Sequence, residues 1–600
     1  MIKGSADVTK TKKNGFGQKL LALVLAAAML MPLGSCSSKK GAAEFDTYLE
    51  SLPARMMNSD EMNLEFLFTD ARNYGFSDTL LELPLNTKED YEESDKQTKQ
   101  MLDELSRFDY QSLSEMQKLT YDVLKDYLER SMGSTCFYYL DNNYLGSYLG
   151  FQAQLPLLLN EYTFDRQNDL DSYFHILETA EETFLQYAQV EKERQTQGVG
   201  MSKTILDKVI EQCENMVGGD NSFLITSANE KIDAADFLND EQKQRAKEKN
   251  RSLIENDYIA AYRSLAEELR TITPQNTEDL GLASQKKGKE YYAYLIRSQT
   301  GLDMSVKEIK NYLNEKMDGL YARVDAILSE DPKAYQRLQE TDLSDPDALH
   351  YTNADSFEGM LDYLGEAMKQ DYPMLSHLNY RINIVPNAMK DNFSPAAYLQ
   401  GKIDAPDSAP EIIYINDTFK QNLFSTVAHE GYPGHMYQHT YFKQQHDPTV
   451  RYLLDYSGYS EGWATYIENN SWKYAQNEDK ALLELVSINS QLSGIIACLL
   501  DIGLHYEGWD RQQFAQEAGK YYDLTEDVIN EQYNIILETP ANYLQYYLTG
   551  FKLQDLYDKA QAELGDSFDS VAFNEVLLKI GPAPFSILQT KVDEYIKGAK

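Results

Sequence analysis

The chain reads as a mainly α protein: one large helical body carrying a single small β-sheet. Three observations predict this. Stretches with apolar residues every three or four positions recur along most of the 600 residues, the pattern of amphipathic helices. Only two segments read as strands. No Pro- or Ser-rich run, low-complexity tract or repeat interrupts a length that would otherwise suggest several domains.

The first element is a targeting segment. Lys3, Lys10, Lys12, Lys13 and Lys19 precede "LLALVLAAAMLMPLGSC", a positive region, a short apolar run and a small-residue stop. The run is shorter than the roughly 20 apolar residues of a membrane span, and no later segment is expected to span one. "LGSC" resembles a bacterial lipobox, which implies cleavage before Cys36 and lipid on its sulfur. The alternative is an ordinary signal peptide with a chance cysteine. The expected layout is a signal peptide over 1–35, a tether over 36–43, a helical scaffold over 44–375 and a metal-binding region over 376–600 continuous with it.

Charge narrows the partners. The formal net charge is −39, and removing residues 1–35, with five Lys and one Asp, takes it to −43. Phosphate recognition needs basic stripes, so no nucleic-acid partner is expected. An acidic surface also repels anionic headgroups, so membrane attachment falls to Cys36. Beyond Cys36 only Cys136, Cys213 and Cys498 remain, with no CxxC. Mostly buried free thiols are expected, since a chain this long buries enough core without disulfides.

The helical signal is strongest over 96–132, 172–197 and 305–328. "YRINIVP" (380–386) alternates, and "EIIYIND" (411–417) is a β-branched run ended by turn residues. The stretch between them, 387–410, reads as a loop.

Just after the second strand comes "FSTVAHEGYPGHMYQ", with His429, Glu430 and His435 in a chain of eight histidines. Histidine and carboxylate are zinc donors, and catalytic sites use three protein ligands plus water. The usual zinc-peptidase helix sets its histidines at i and i+4. Here they stand at i and i+6, about 120° off a shared face at ~100° per residue. Pro433 denies the His429 carbonyl its helical donor, while Gly431 and Gly434 allow unusual backbone angles. A bulge or widened turn across "GYPG" is therefore expected to realign His435 with His429. His435 and His439 form a rival i, i+4 pair, but His439 is expected to face solvent. A third ligand should come from a neighbouring element. Glu461 in "SEGWATYIE" lies 26 residues past His435, room for a loop and an antiparallel helix. Glu468, two turns on and on the same face, is placed to bond a ligand from behind. His446 reads as a loop residue, and His175, His350 and His377 as structural.

"HEGYPGHMYQ", "SEGWATYIE", "DIGLHYEGW" and "TPANYLQYY" together resemble the bacterial family catalogued as domain of unknown function 885. The resemblance covers most of the mature chain and is strongest from about Asn379. It implies a mainly helical fold with a deep cleft and a zincin-like helix pair beside the small sheet, similar to the gluzincins of the thermophilic carboxypeptidase and thimet-oligopeptidase type. It also implies zinc-dependent peptidase activity with one Zn2+ per chain and a peptide substrate. On that resemblance His429, His435 and Glu461 are metal ligands and Glu430 is the general base. His505 in "DIGLH" is a further catalytic residue, with Asp501 orienting it. Tyr546 is the site tyrosine, although Gly550 lies one residue late and leaves Tyr547 as an alternative. Cys498 falls near a position where many members carry arginine. Ile412, Ile413, Tyr414 and Ile415 resemble the edge strand along which metallopeptidases lay an extended substrate. Two other readings stay open: a non-catalytic binding lipoprotein, and a metal-dependent amidase acting on a non-peptide or cell-wall amide. Exo- or endopeptidase action, side-chain preference, the choice among zinc, manganese and cobalt, and oligomeric state are not legible.

Overall fold

The computed structural model describes residues 40–600 apart from 58–60, 149, 344, 346–347, 355, 387–389, 391–392, 420–422 and 523. The signal segment 1–35 and Cys36 lie outside the described residues. Helix begins at Ala42, two residues inside the segment expected to be tether.

The fold is mainly α, with one three-stranded sheet. Local sequence sets the helix starts. Thr87, Ser114 and Ser305 each accept a bond from the N–H three residues on and receive Asp90, Gln117 or Glu308 in return, reciprocal caps that satisfy two orphan donors apiece. The longest helix, Gln167–Gln197, ends at Gly198, whose φ of 74° is the left-handed stop glycine favours.

The apolar interior forms two main bodies. One joins Phe45–Leu128 to Leu282–Ile596 and holds the sheet and the stretch that carries His429, Glu430 and His435. The other is built from Leu83 and Tyr144–Leu269. The first body draws on both sides of position 375/376. Cys213 and Cys498 are buried free thiols and Cys136 is exposed.

Two expectations are corrected. One helix, Lys480–Glu507, is after all long and apolar enough to cross a membrane. More than half of its most apolar stretch is buried inside the protein, as in a core helix. The segment 387–410 is also not all loop. It contains β2 (Ala396–Leu399), which lies between β1 (Tyr380–Ile384) and β3 (Glu411–Ile415) in sequence. In space the order is β1-β3-β2, with β1 parallel and β2 antiparallel to β3. Strand β3 is therefore central and paired on both sides. Ile412, Ile413, Tyr414 and Ile415 offer no open edge to a substrate. The edge strand beside the site is β2.

Candidate metal centre

The motif helix stops at Glu430 and restarts at His435. Between them the backbone leaves helical angles at Gly431 (φ −109°, ψ −102°) and Gly434 (φ −79°, ψ −134°), and the Tyr432–Pro433 peptide is cis. The glycines are required by space. A Cβ at Gly434 would overlap the His429 carbonyl oxygen, and one at Gly431 would run into Leu361. Fully buried Trp463 donates its indole N–H to the Pro433 carbonyl at 2.8 Å, and the Tyr437 N–H reaches the Gly431 carbonyl at 3.1 Å. The expected widened turn is thus a full break between two short helices, clamped from the neighbouring helix Ser457–Ser471.

The break brings the donors together. The His429 and His435 rings stand 4.8 Å apart at 81°. Glu461 Oε2 lies 3.2 Å from His435 Nε2 and 3.8 Å from His429 Nε2. One donor atom from each of the three residues falls within 4.8 Å of the others. Donors about 2.0–2.1 Å from a tetrahedral zinc stand roughly 3.3–3.4 Å apart, so this spacing fits such an ion. Glu461 Oε2 is moreover buried without a hydrogen bond of good geometry, although a buried carboxylate oxygen is costly unpaired.

The electrostatics favour a cation. Burial alone would push the His429 pKa down. The hydrogen bond of Nδ1 to Glu468 Oε2 at 3.1 Å and the charges of Glu430, Glu468 and Glu461 raise it to about 9. Burial would raise Glu461, but the His435 and His429 imidazoles and the Tyr546 hydroxyl hold it below the ordinary range. Glu468 lies on the Nδ1 side of His429, behind the face turned to Glu461, where a partner of this kind orients an imidazole.

Glu430 turns to the sheet, where its Oε2 accepts the Tyr398 N–H of β2 at 2.8 Å. The residues from Leu544 to Leu548 form a π turn, an extra-residue bulge. Tyr546 there bonds Glu461 and stacks on His429 at 6.4 Å and 17°. Its hydroxyl is held well above the usual range by burial and by Glu461. Tyr547 instead lies against Gly494, where a Cβ would enter its ring. Both tyrosines line the cleft, and Tyr546 is the one that faces Glu461 and His429.

Three expectations fail. His505 does not reach the centre. It is fully buried, accepting the Leu282 N–H at Nδ1 (3.2 Å) and bonding the Ile536 carbonyl through Nε2 (2.8 Å). Both ring nitrogens are occupied and burial depresses its pKa to about 4, so it has no hand free for catalysis. Asp501 does not orient His505. It accepts the Tyr292 hydroxyl and the Ala541 N–H, and burial pushes its carboxyl up to about 7. His439 does not face solvent. It borders the cleft beside Tyr398, at 6.2 Å, with its pKa lowered to about 4 by burial. It takes no part in the three-donor cluster. Tyr398 is a site residue the sequence reading missed, since "AAYL" is too short for a strand signal.

The centre lies in a cleft of about 1240 Å³. The cleft is walled by the N-terminal helices, by β2 through Ala396, Ala397 and Tyr398, and by Tyr543 and Tyr546.

Comparison with known proteins places the chain. No curated protein matches it. A crystal structure described as "the putative lipoprotein from Colwellia psychrerythraea" superposes with a TM-score of 0.80 at 18% identity, covering 92% of this chain and 99% of that one. A second, "a putative lipoprotein of unknown function from Shewanella oneidensis", gives a TM-score of 0.60 at 14% identity, over 91% and 98%. At such identities the likeness is one of fold. The model of a bacterial protein family of unknown function matches residues 69–592. The chain therefore belongs to that family, DUF885.

Proposed function

We propose that this protein is a zinc-dependent peptidase of gluzincin type, lipid-anchored through Cys36 and facing outside the cytoplasm. The observation that carries the reading is the convergence of His429, His435 and Glu461 on one point of a cleft floor, with Glu430 next in sequence to the first ligand. A pure binding protein has no need of a carboxylate base beside its ligands. The Lys-rich leader and lipobox support export and anchoring, and both structural relatives are described as putative lipoproteins.

His429, His435 and Glu461 would hold the ion. When bound, zinc polarises a carbonyl and lowers the pKa of a water molecule to about 7. The chain's own residues supply the rest. Glu430, steadied by the Tyr398 N–H, takes a proton from water and returns it to the leaving amine. Tyr546 brings a hydroxyl to the site for the developing oxyanion. Glu468 keeps His429 in the tautomer that leaves Nε2 as a donor to metal. The outer edge of β2, where Glu430 accepts the Tyr398 N–H and the Ser394 hydroxyl donates to the Ala396 carbonyl, is the surface along which an extended peptide would lie once it displaces those contacts, and backbone pairing of this kind is tolerant of sequence.

The test is hydrolysis of a peptide library by the full-length protein in detergent, beside Glu430→Gln. The reading predicts turnover by the wild type and a loss of at least about 10²-fold in Glu430→Gln, with metal retained. Cleavage of muropeptide amides but of no peptide would shift the substrate to the cell wall. No hydrolysis of either by a metal-loaded protein would leave the binding-lipoprotein reading.

A further inference from the structure

The cleft's charge is one-sided. Among the described residues lining it, Arg55 is the only Lys or Arg, and it pairs with Glu104 at 2.9 Å. Glu430, Glu461 and Glu468 belong to the centre. Of the other acids, Asp90 accepts the Thr87 N–H and hydroxyl, and Glu93 accepts from Lys96 and Gln97. That leaves Asp455. Its side chain opens into the cleft, and among the described residues it has no hydrogen bond or ion pair. It stands two residues before the helix Ser457–Ser471 and caps none of its N–H groups.

Tyr127, from the helix Glu115–Ser131, is its neighbour across the cleft lining. The Tyr127 hydroxyl also has no hydrogen-bond partner among the described residues. The two groups sense each other: burial and then the Asp455 charge push Tyr127 up to about 12, while burial and then Glu461 raise Asp455. Asp455 is exposed to the cleft solvent and has no counter-charge among the described residues, so a ligand cation entering the cleft meets an unpaired carboxylate there. The aromatic ring beside it adds a face suited to the same charge. No free cation in the lining is available to hold a substrate carboxylate.

We propose that Asp455 and Tyr127 form a subsite for a positively charged group of the substrate. The preferred peptides would then carry a cation near the cleaved bond, either a Lys or Arg side chain or a free α-amino group. This rests on the reading of the cleft as a peptide site, and the test separates the two claims by measuring binding apart from turnover.

The experiment uses the full-length, metal-loaded protein carrying Glu430→Gln to suppress hydrolysis. Fluorescence anisotropy would follow pentapeptides labelled at the C-terminal amide. One set has a central Arg and the other citrulline, each with a free or an acetylated N-terminus. A cationic peptide is expected to bind about tenfold more tightly than its neutral analogue, with the gap closing as salt rises. Loss of the gap on citrulline substitution assigns the side chain, and loss on acetylation assigns the α-amine. Adding Asp455→Asn should reduce the preference to within twofold at unchanged metal content. Tyr127→Phe should weaken it in part. Equal affinities for cationic and neutral peptides would overturn the proposal without recourse to any Asp455 variant, as would a preference that survives Asp455→Asn. An Asp455-dependent preference in a protein whose wild type hydrolyses no peptide would uphold the subsite and reject the peptidase.

Discussion

At the residue scale, Glu461 and Glu468 divide the work around His429. Glu461 points a buried oxygen at the two imidazoles, and Glu468 takes the Nδ1 side of the His429 ring. Removing the charge of Glu468 should cost metal affinity by about 10–100-fold without removing a ligand. Titrating Glu468→Gln against a competing chelator measures it, and unchanged affinity would detach Glu468 from the centre. His505 makes the opposite case. Its folded pKa is about 4 against an ordinary 6.5, so the fold favours the neutral ring. Its stabilising contribution is full above pH 6.5, where neither state binds the proton. It is lost as pH falls from 6.5 towards 4, where only the unfolded chain is protonated. The loss amounts to about 3 kcal/mol. His505→Gln should therefore lower Tm at pH 7 and leave metal content alone, and its deficit against wild type should shrink as pH drops to 4. A constant deficit would contradict this. Asp501 acts with the opposite sign, since its raised pKa favours folding at low pH and that contribution fades as pH rises to about 7. The sequence could show His429, Glu430 and His435 because they are adjacent and rare. It could not show that His505 faces a backbone carbonyl, since a buried structural histidine and a catalytic one look alike without their neighbours.

At the element scale, the decisive feature is the break between the helices Phe424–Glu430 and His435–Lys443. A regular helix would set His435 well off the His429 face, and the two glycines and Pro433 signal that it is not regular. The form of the break was not legible, because the carbonyl clamp from Trp463 comes from a helix 30 residues away. Gly434→Ala should be severe, since the new methyl meets the His429 carbonyl. Overpacking of this kind costs about 1–3 kcal/mol, and realignment of His435 should fail with it. Thermal melting together with metal content measures both effects, and a Gly434→Ala protein with wild-type Tm and full metal would refute the account of the break. The sheet shows where local reading ends. Strands β1 and β3 were legible from alternation and branching. The four-residue β2 was not, because pairing with β3 rather than local propensity makes it a strand. That omission put β3 at the edge and hid the bond from Tyr398 to Glu430. The π turn at Leu544–Leu548 accounts for the unsettled tyrosine. It inserts a residue into the helix and turns Tyr546, not Tyr547, to Glu461.

At the scale of the whole molecule, the apolar body that joins Phe45–Leu128 to Leu282–Ile596 carries the cleft, and the N-terminal helices wall it opposite the His-Glu motif. Composition and periodicity made the mainly α architecture legible. The division of the interior was not, because the first body is assembled from segments more than 150 residues apart in sequence. On the proposed reading, the acidic chain leaves membrane attachment to the anchor, and the acidic bias of the cleft favours cationic substrates. All of this depends on one claim, that "HEGYPGH" and Glu461 hold a metal ion. The measurement that tests it most directly is the elemental content of the purified full-length protein by mass spectrometry, wild type beside His435→Ala and His439→Ala. The account predicts about one zinc per chain in wild type and in His439→Ala, and none in His435→Ala. A wild type that holds no metal and takes up none from added zinc would contradict it.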